Sequence, residues 1–139
     1  MPADLIRAVL KLPWPLVITR GPAHVVEFLS PAACELAGAR QVQGRPVADA
    51  MPEALTGGVV ELLDRAFTTG HPFHDVEQRV VDRRGDATVE RWFDLGCQPV
   101  REPDGVISGL VLYGIEITEK VRARRRVEFL AQASAVLLE

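Results

Sequence analysis

Two cysteines, three histidines and one acid–hydroxyl triplet are the residues here whose types could do chemistry. Cys34 and Cys97 could close at most one disulfide. Neither has the C-x-x-C spacing or neighbouring histidine pair of a metal site, so both are expected to be reduced core thiols, with no metal. His24, His71 and His74 fall singly on expected strands or loops, where an isolated imidazole is ordinarily a surface residue. No nucleophile elbow, phosphate-binding glycine loop, H-E-x-x-H helix or paired-carboxylate arrangement is present, so no catalytic residue is expected. The remaining chemistry is Glu116-Ile117-Thr118, followed by Glu119, where an apolar run hands over to a charged one.

Composition narrows the classes of function. A chain of 139 residues, 47% hydrophobic and 25% charged, is one globular domain. A net charge of −3 supplies no basic face for phosphates, so nucleic acid is not an expected partner. No run approaches the roughly 18 apolar residues that cross a bilayer, and the start lacks the basic-then-apolar order of a signal peptide. No membrane contact is expected, and a cytoplasmic location follows as the default.

The elements that must position these residues follow from punctuation and period. Asp4 to Leu12 places apolar residues at 5, 6, 9, 10 and 12, an amphipathic helix ended by Pro13 and Pro15. Leu16–Arg20 and His24–Leu29 form a hairpin around Gly21-Pro22. Ser30-Pro31 starts a short helix that Gly38 closes, and Val47 to Met51 forms another. Gly57 to Thr69 puts Val59, Val60, Leu63, Ala66 and Phe67 on one helical face. A strand from Pro72 to Val81 and a turn at Arg84-Gly85-Asp86 lead to two long strands, Val89–Val100 and Val106–Ile117. Asp104-Gly105 between them is the expected two-residue type I′ turn. The result is an α+β domain on one antiparallel sheet.

The last two strands, their D-G turn and the Glu116-Ile117-Thr118 triplet resemble the C-terminal half of a PAS domain, in which D-I-T starts an exit helix. The resemblance extends from about Trp14 to about Val121. It implies a PAS fold: a five-stranded antiparallel sheet, short helices packed on one face, an N-terminal amphipathic helix (residues 1–13), the PAS domain (14–117) and an exit helix (118–139). It implies that Glu116, Ile117 and Thr118 couple sheet to helix, with Arg20, Arg83 or Arg84 as a basic partner.

The odd positions Val89, Arg91, Phe93, Leu95 and Cys97 make the inner face of their strand. The last strand is apolar on both faces, and register taken from the resemblance turns Leu110, Leu112 and Gly114 inward. The pocket wall then comprises Phe28, Val47, Met51, Leu63, Val76, Gln78, Val80, Phe93, Leu95, Cys97, Leu110, Leu112 and Gly114. Such a wall is either a filled core or a pocket for a small apolar ligand, with Gly114 opening space.

The family's cofactors are not supported. Gly44-Arg45 matches a flavin-cysteine motif, but Val47 stands in the cysteine's place, and Val80, Phe93 and Gly114 offer flavin no side-chain hydrogen bond. The helix that would present a haem histidine has none.

Helix formers fill Thr118 to Leu138, where Ala123, Val127, Leu130, Ser134 and Leu137 step as a coiled-coil seam. The basic run Arg122 to Arg126 is expected to be a solvated face. Leu5 and Val9, the outward Val111 and Tyr113, and Val127, Leu130 and Leu137 are the expected homodimer contacts. The apolar stripe still runs at Val136, Leu137 and Leu138, so the helix reads as continuing. The resemblance implies a sensory module of a cytoplasmic signalling protein, upstream of a GAF domain and a phosphatase or histidine kinase output. A dimerisation module that senses nothing is the alternative, and a small-molecule enzyme a third.

Overall fold

The computed structural model describes residues 3–38, 40–52, 57–84 and 86–138, with the side chains of residues 6 and 82–84 outside that description. Helix α1 (Ala3–Leu10) precedes the hairpin β1 (Leu16–Arg20) and β2 (Val25–Leu29). Three helices follow: α2 (Pro31–Ala37), α3 (Val47–Ala50) and α4 (Val59–Thr69). Strands β3 (Phe73–Arg84), β4 (Ala87–Arg101) and β5 (Ile107–Glu116) lead into α5 (Thr118–Leu137). The five strands form one antiparallel sheet in the order β2-β1-β5-β4-β3, as the α+β reading expects. The expected turn at residues 84–86 includes Gly85, outside the described residues, and Arg84 pairs with Ala87 across it.

Capping sets the first crossover. Buried Ser30 accepts from the Ala33 amide at 3.3 Å as the N-cap of α2, accepts from the Leu16 amide at 2.9 Å and donates to the Trp14 carbonyl. One hydroxyl thus ties the entry of β1 to the start of α2.

The β4–β5 turn differs from the expected type I′. The Gly105 amide donates to the Glu102 carbonyl and the Glu102 amide to the Val106 carbonyl, both at 2.8 Å, and only Gly105, at φ +87°, is left-handed. This is a type I turn with Pro103 at its second position and a glycine bulge after it. Proline's fixed φ near −65° selects the hand that a type I′ turn would reverse. Asp104 accepts from the Val106 amide at 3.0 Å, and the register shifts at Val100/Arg101.

The core lies between the sheet's inner face and α2, α3 and α4. It joins Val17, Val26, Ala33, Ala37, Val42, Val47, Ala50, Val59, Leu63, Ala66, Cys97 and Leu110. The inner face of β4 begins at Phe93 rather than at Val89, which is exposed.

Cys34 departs from expectation: Ala33 and Ala37 occupy the buried face of α2, so the thiol one residue round is exposed. Cys97 is buried, and desolvation pushes its thiol up to about 11. At pH 8 one thiol should therefore label rapidly with a disulfide reagent and the other slowly. Cys34→Ser should abolish the fast phase; two equal rates would contradict the burial of Cys97.

Candidate functional site

The expected pocket wall separates into a packed centre and an open margin. Val47, Leu63, Cys97 and Leu110 lie in the core cluster, with Met51, Leu95 and Leu112 packed against it, and Phe93 is buried beside them. Val76, Gln78 and Val80 are only half-buried, because β3 is the edge strand.

Phe28 does not join the core. The β1–β2 register shifts between Ile18 and Thr19, so Phe28 pairs with Ile18 while Leu29 pairs with the buried Val17. Leu29 is therefore the residue that packs inward. The space that Gly114 leaves is methyl-sized: a Cβ there would sit at ordinary contact distance from Leu95 Cδ2 and Phe93 Cδ1, at 3.4 Å, and from Pro15 Cγ, at 3.5 Å.

His24 also reverses its expected surface placement. It is buried, its ring Nε2 lies 2.6 Å from Asp64 Oδ1 on α4, and it meets Phe67 edge-on at 6.0 Å. Its Nδ1 and Thr19 Oγ1 are buried polar atoms without a partner among the described residues. His24 stands in the turn before β2 at φ +54°, outside the strand's alternation, so periodicity does not place it.

The densest polar constellation is the strand-to-helix junction. Arg91 on β4 grips Glu116 on β5 with two bonds, Nη2 to Oε1 at 2.7 Å and Nε to Oε2 at 3.1 Å. Thr118 donates to Glu116 Oε2 at 2.6 Å and accepts from the Trp92 amide at 3.0 Å. The Ile117 amide closes the loop on the Trp92 carbonyl at 2.8 Å. Arg91 is thus a basic partner that the expectation of Arg20, Arg83 or Arg84 does not include; Arg20 pairs with Glu27, and the side chains of Arg83 and Arg84 lie outside the described residues. Phe93↔Glu116 register puts Arg91, two residues before Phe93, on the same face as the carboxylate.

This bidentate pair and the Thr118 hydroxyl hold the Glu116 carboxyl below its ordinary value. An open cleft of about 690 Å³ runs along the junction, between Val89 and Arg91 on one side and residues 116–120 and Arg122 on the other. A smaller cleft of about 170 Å³ lies between α2 and the segment after it, beside Cys34. The larger cleft is lined by no residue of the core cluster, and the smaller one meets the core only at its edge, through Leu29, Ala37 and Val42. Among the described residues no group of three metal-ligating side chains converges. No helix among them is long and apolar enough to cross a membrane.

Comparison with known proteins bears on the fold. A family model described as the PAS fold matches residues 10–122. Among solved structures, an RNA-binding light-oxygen-voltage receptor aligns over 100% of this chain and 39% of its own, at 21% identity and a TM-score of 0.69. VqmA of Vibrio cholerae aligns over 86% and 53%, at 18% identity and a TM-score of 0.68. The PAS domain of Bordetella pertussis BvgS aligns over 94% and 96%, at 18% identity and a TM-score of 0.61. The chain spans about two fifths of the first neighbour and about half of the second. At these identities the likeness is one of fold, while the family match covers most of the sequence together with its hairpins, junction and first exit-helix turn. The chain belongs to the PAS-fold family.

Proposed function

We propose that this chain is a sensory or regulatory module of a cytoplasmic signalling protein, non-enzymatic itself, that relays the state of a ligand or partner through α5 to an output domain. Residues 1–13 serve as its cap, 14–117 as its sensor domain and 118–139 as its relay helix. The observation that carries the reading is the junction. Four polar groups from β4, β5 and α5 meet there, so a shift of β5 against β4 moves the first turn of α5. The acting unit is a homodimer. Leu5, Val9, Tyr113, Val127, Leu130 and Leu137 are exposed and Val111 half-buried, an apolar supply that a second copy would cover. Net charge does not decide the matter of nucleic acid for a longer protein, since two of the neighbours are described with RNA or DNA.

The rival reading, a dimerisation module that senses nothing, draws on the contacts around Gly114, where neighbouring side chains leave room for about one methyl group. A native mass spectrum separates the two. A dimer with extra mass lost on denaturation supports the sensor, a bare dimer the assembly module, and a bare monomer neither.

Glu116→Ala should leave the fold intact but raise amide exchange in the first turns of α5; unchanged helix dynamics and output would sink the relay. Glu116→Gln tests its electrostatics. A depressed folded-state pKa contributes stability that is present above the ordinary value of 4.5 and lost as pH falls through the depressed one. Thermal midpoints should therefore fall more steeply below pH 4.5 in the parent than in Glu116→Gln. Parallel curves would mean that the ion pair contributes nothing.

A further inference from the structure

The exit helix is held to the sheet by charge at one end and left uncovered at the other. Arg124 reaches Glu77 of β3 with two bonds, at 2.8 and 2.9 Å. Arg125 reaches Glu90 of β4 at 3.3 Å, and its guanidinium lies 4.8 Å from the centre of the Trp92 ring. Glu90 is itself held by Arg79 and accepts from the Trp92 indole at 2.9 Å.

Glu77, Arg79, Glu90 and Trp92 all point away from the core. Glu77 pairs with Asp94 and Arg79 with Trp92, each one residue out of phase with the inward Phe93, and Glu90 is two residues from Trp92. Val121, one helical turn before Arg124 and Arg125 and on the same side of α5, is buried. Past Arg126 the exposed apolar residues begin, from Val127 at 67% to Leu137 at 86%.

At about 100° per residue, Val121, Arg124 and Arg125 lie roughly 100–200° round the helix from Ala123, whereas Val127, Leu130, Ser134 and Leu137 lie within about 40° of it. The gripping face and the pairing seam are on opposite sides of α5. A helix can therefore be gripped by its own sheet and paired with another helix at once.

We propose that Arg124–Glu77 and Arg125–Glu90–Trp92 form a releasable charge clasp that sets the direction in which α5 leaves the sheet, independently of its pairing seam. A single exposed ion pair contributes little. Here a bidentate pair, a cation–aromatic stack and a shared carboxylate act on two successive residues, with Val121 to position them. Contacts of this kind weaken with salt, which suits an element that must be released. The proposal rests on the reading of α5 as the relay, and its test is independent of that reading.

The test is hydrogen exchange of the α5 amides in the 139-residue chain, with Trp92 fluorescence in a Trp14→Phe background as a second readout. Glu77→Arg and Arg124→Glu should each speed exchange over residues 119–126 by about tenfold, and the charge-swapped double variant should return it to within about twofold of the parent. About 1 M sodium chloride should reproduce the single variants in part. Light scattering should show the same oligomeric state throughout, because the seam is on the other face. Exchange unchanged in the single variants, or as fast in the double variant, overturns the clasp. Dissociation of an otherwise dimeric chain in the single variants overturns its independence from the seam. A chain that is monomeric throughout yet shows the exchange pattern supports the clasp and counts against the dimeric relay.

Discussion

Gly109→Ala is expected to cost this domain about 3 kcal/mol or more, the upper end for overpacking, because the clash is with backbone. A Cβ at Gly109 would lie 2.2 Å from the carbonyl oxygen of Thr19. Gly109 pairs with Arg20 in the β1–β5 ladder, and β5 is the middle strand, so relief requires the two strands to part. Parting them would detach the β1–β2 hairpin and, through Ser30, the start of α2. With typical total stabilities of about 5–15 kcal/mol and urea slopes of about 1–3 kcal/mol per molar, the unfolding midpoint should fall by about 1 M or more. A midpoint within about 0.3 M of the parent would show that the ladder yields without loss.

Phe93→Ala should cost about 3–5 kcal/mol, the range for truncating a buried phenylalanine whose site cannot collapse. Phe93 is 1% exposed. Arg91 sits 5.2 Å over its ring, and its Cδ1 is among the nearest atoms to the space above Gly114. The truncation therefore opens a void in the expected pocket wall beside Leu95 and Gly114 and removes the ring that lies under Arg91 of the Arg91–Glu116 pair. Both effects are measurable, by urea unfolding and by exchange of the α5 amides. A loss below about 1.5 kcal/mol would mean that this part of the core was loosely packed beforehand. That outcome would favour a ligand-sized space, so the variant also weighs the sensor against the assembly module.

Much of the architecture was legible because it is written in local chemistry. Proline and glycine mark nearly every boundary, Ser30-Pro31 is a helix start by composition alone, and alternation selected the inward face of β4 from Phe93 to Cys97. The Asp-Gly pair marks where β4 turns into β5 but not how, since it suits both the type I′ turn and the bulged type I turn. Pro103, outside the pair that was read, makes the choice.

The site was less legible, because its parts are far apart in the chain. Arg91 and Glu116 are 25 residues apart and become partners only through the β4–β5 register. A bulge at Ile18/Thr19 turned Phe28 away from the core and Leu29 into it, and no periodicity argument on β2 alone could place that shift. The clasp needed the third dimension too. Arg124 and Arg125 read as a solvated basic run until α5 was laid against Glu77, 47 residues earlier, and Glu90, 35 residues earlier.

By itself, then, the sequence determined the elements, their order, the family resemblance and the hydroxyl-and-acid chemistry of the junction, because these depend on neighbours within a turn or two of chain. Tertiary structure alone decided the partner of Glu116, the burial of His24, the methyl-sized space at Gly114 and the two faces of α5. Each of these depends on strand register or on the angle at which a helix crosses a sheet, and residues distant in the chain set both.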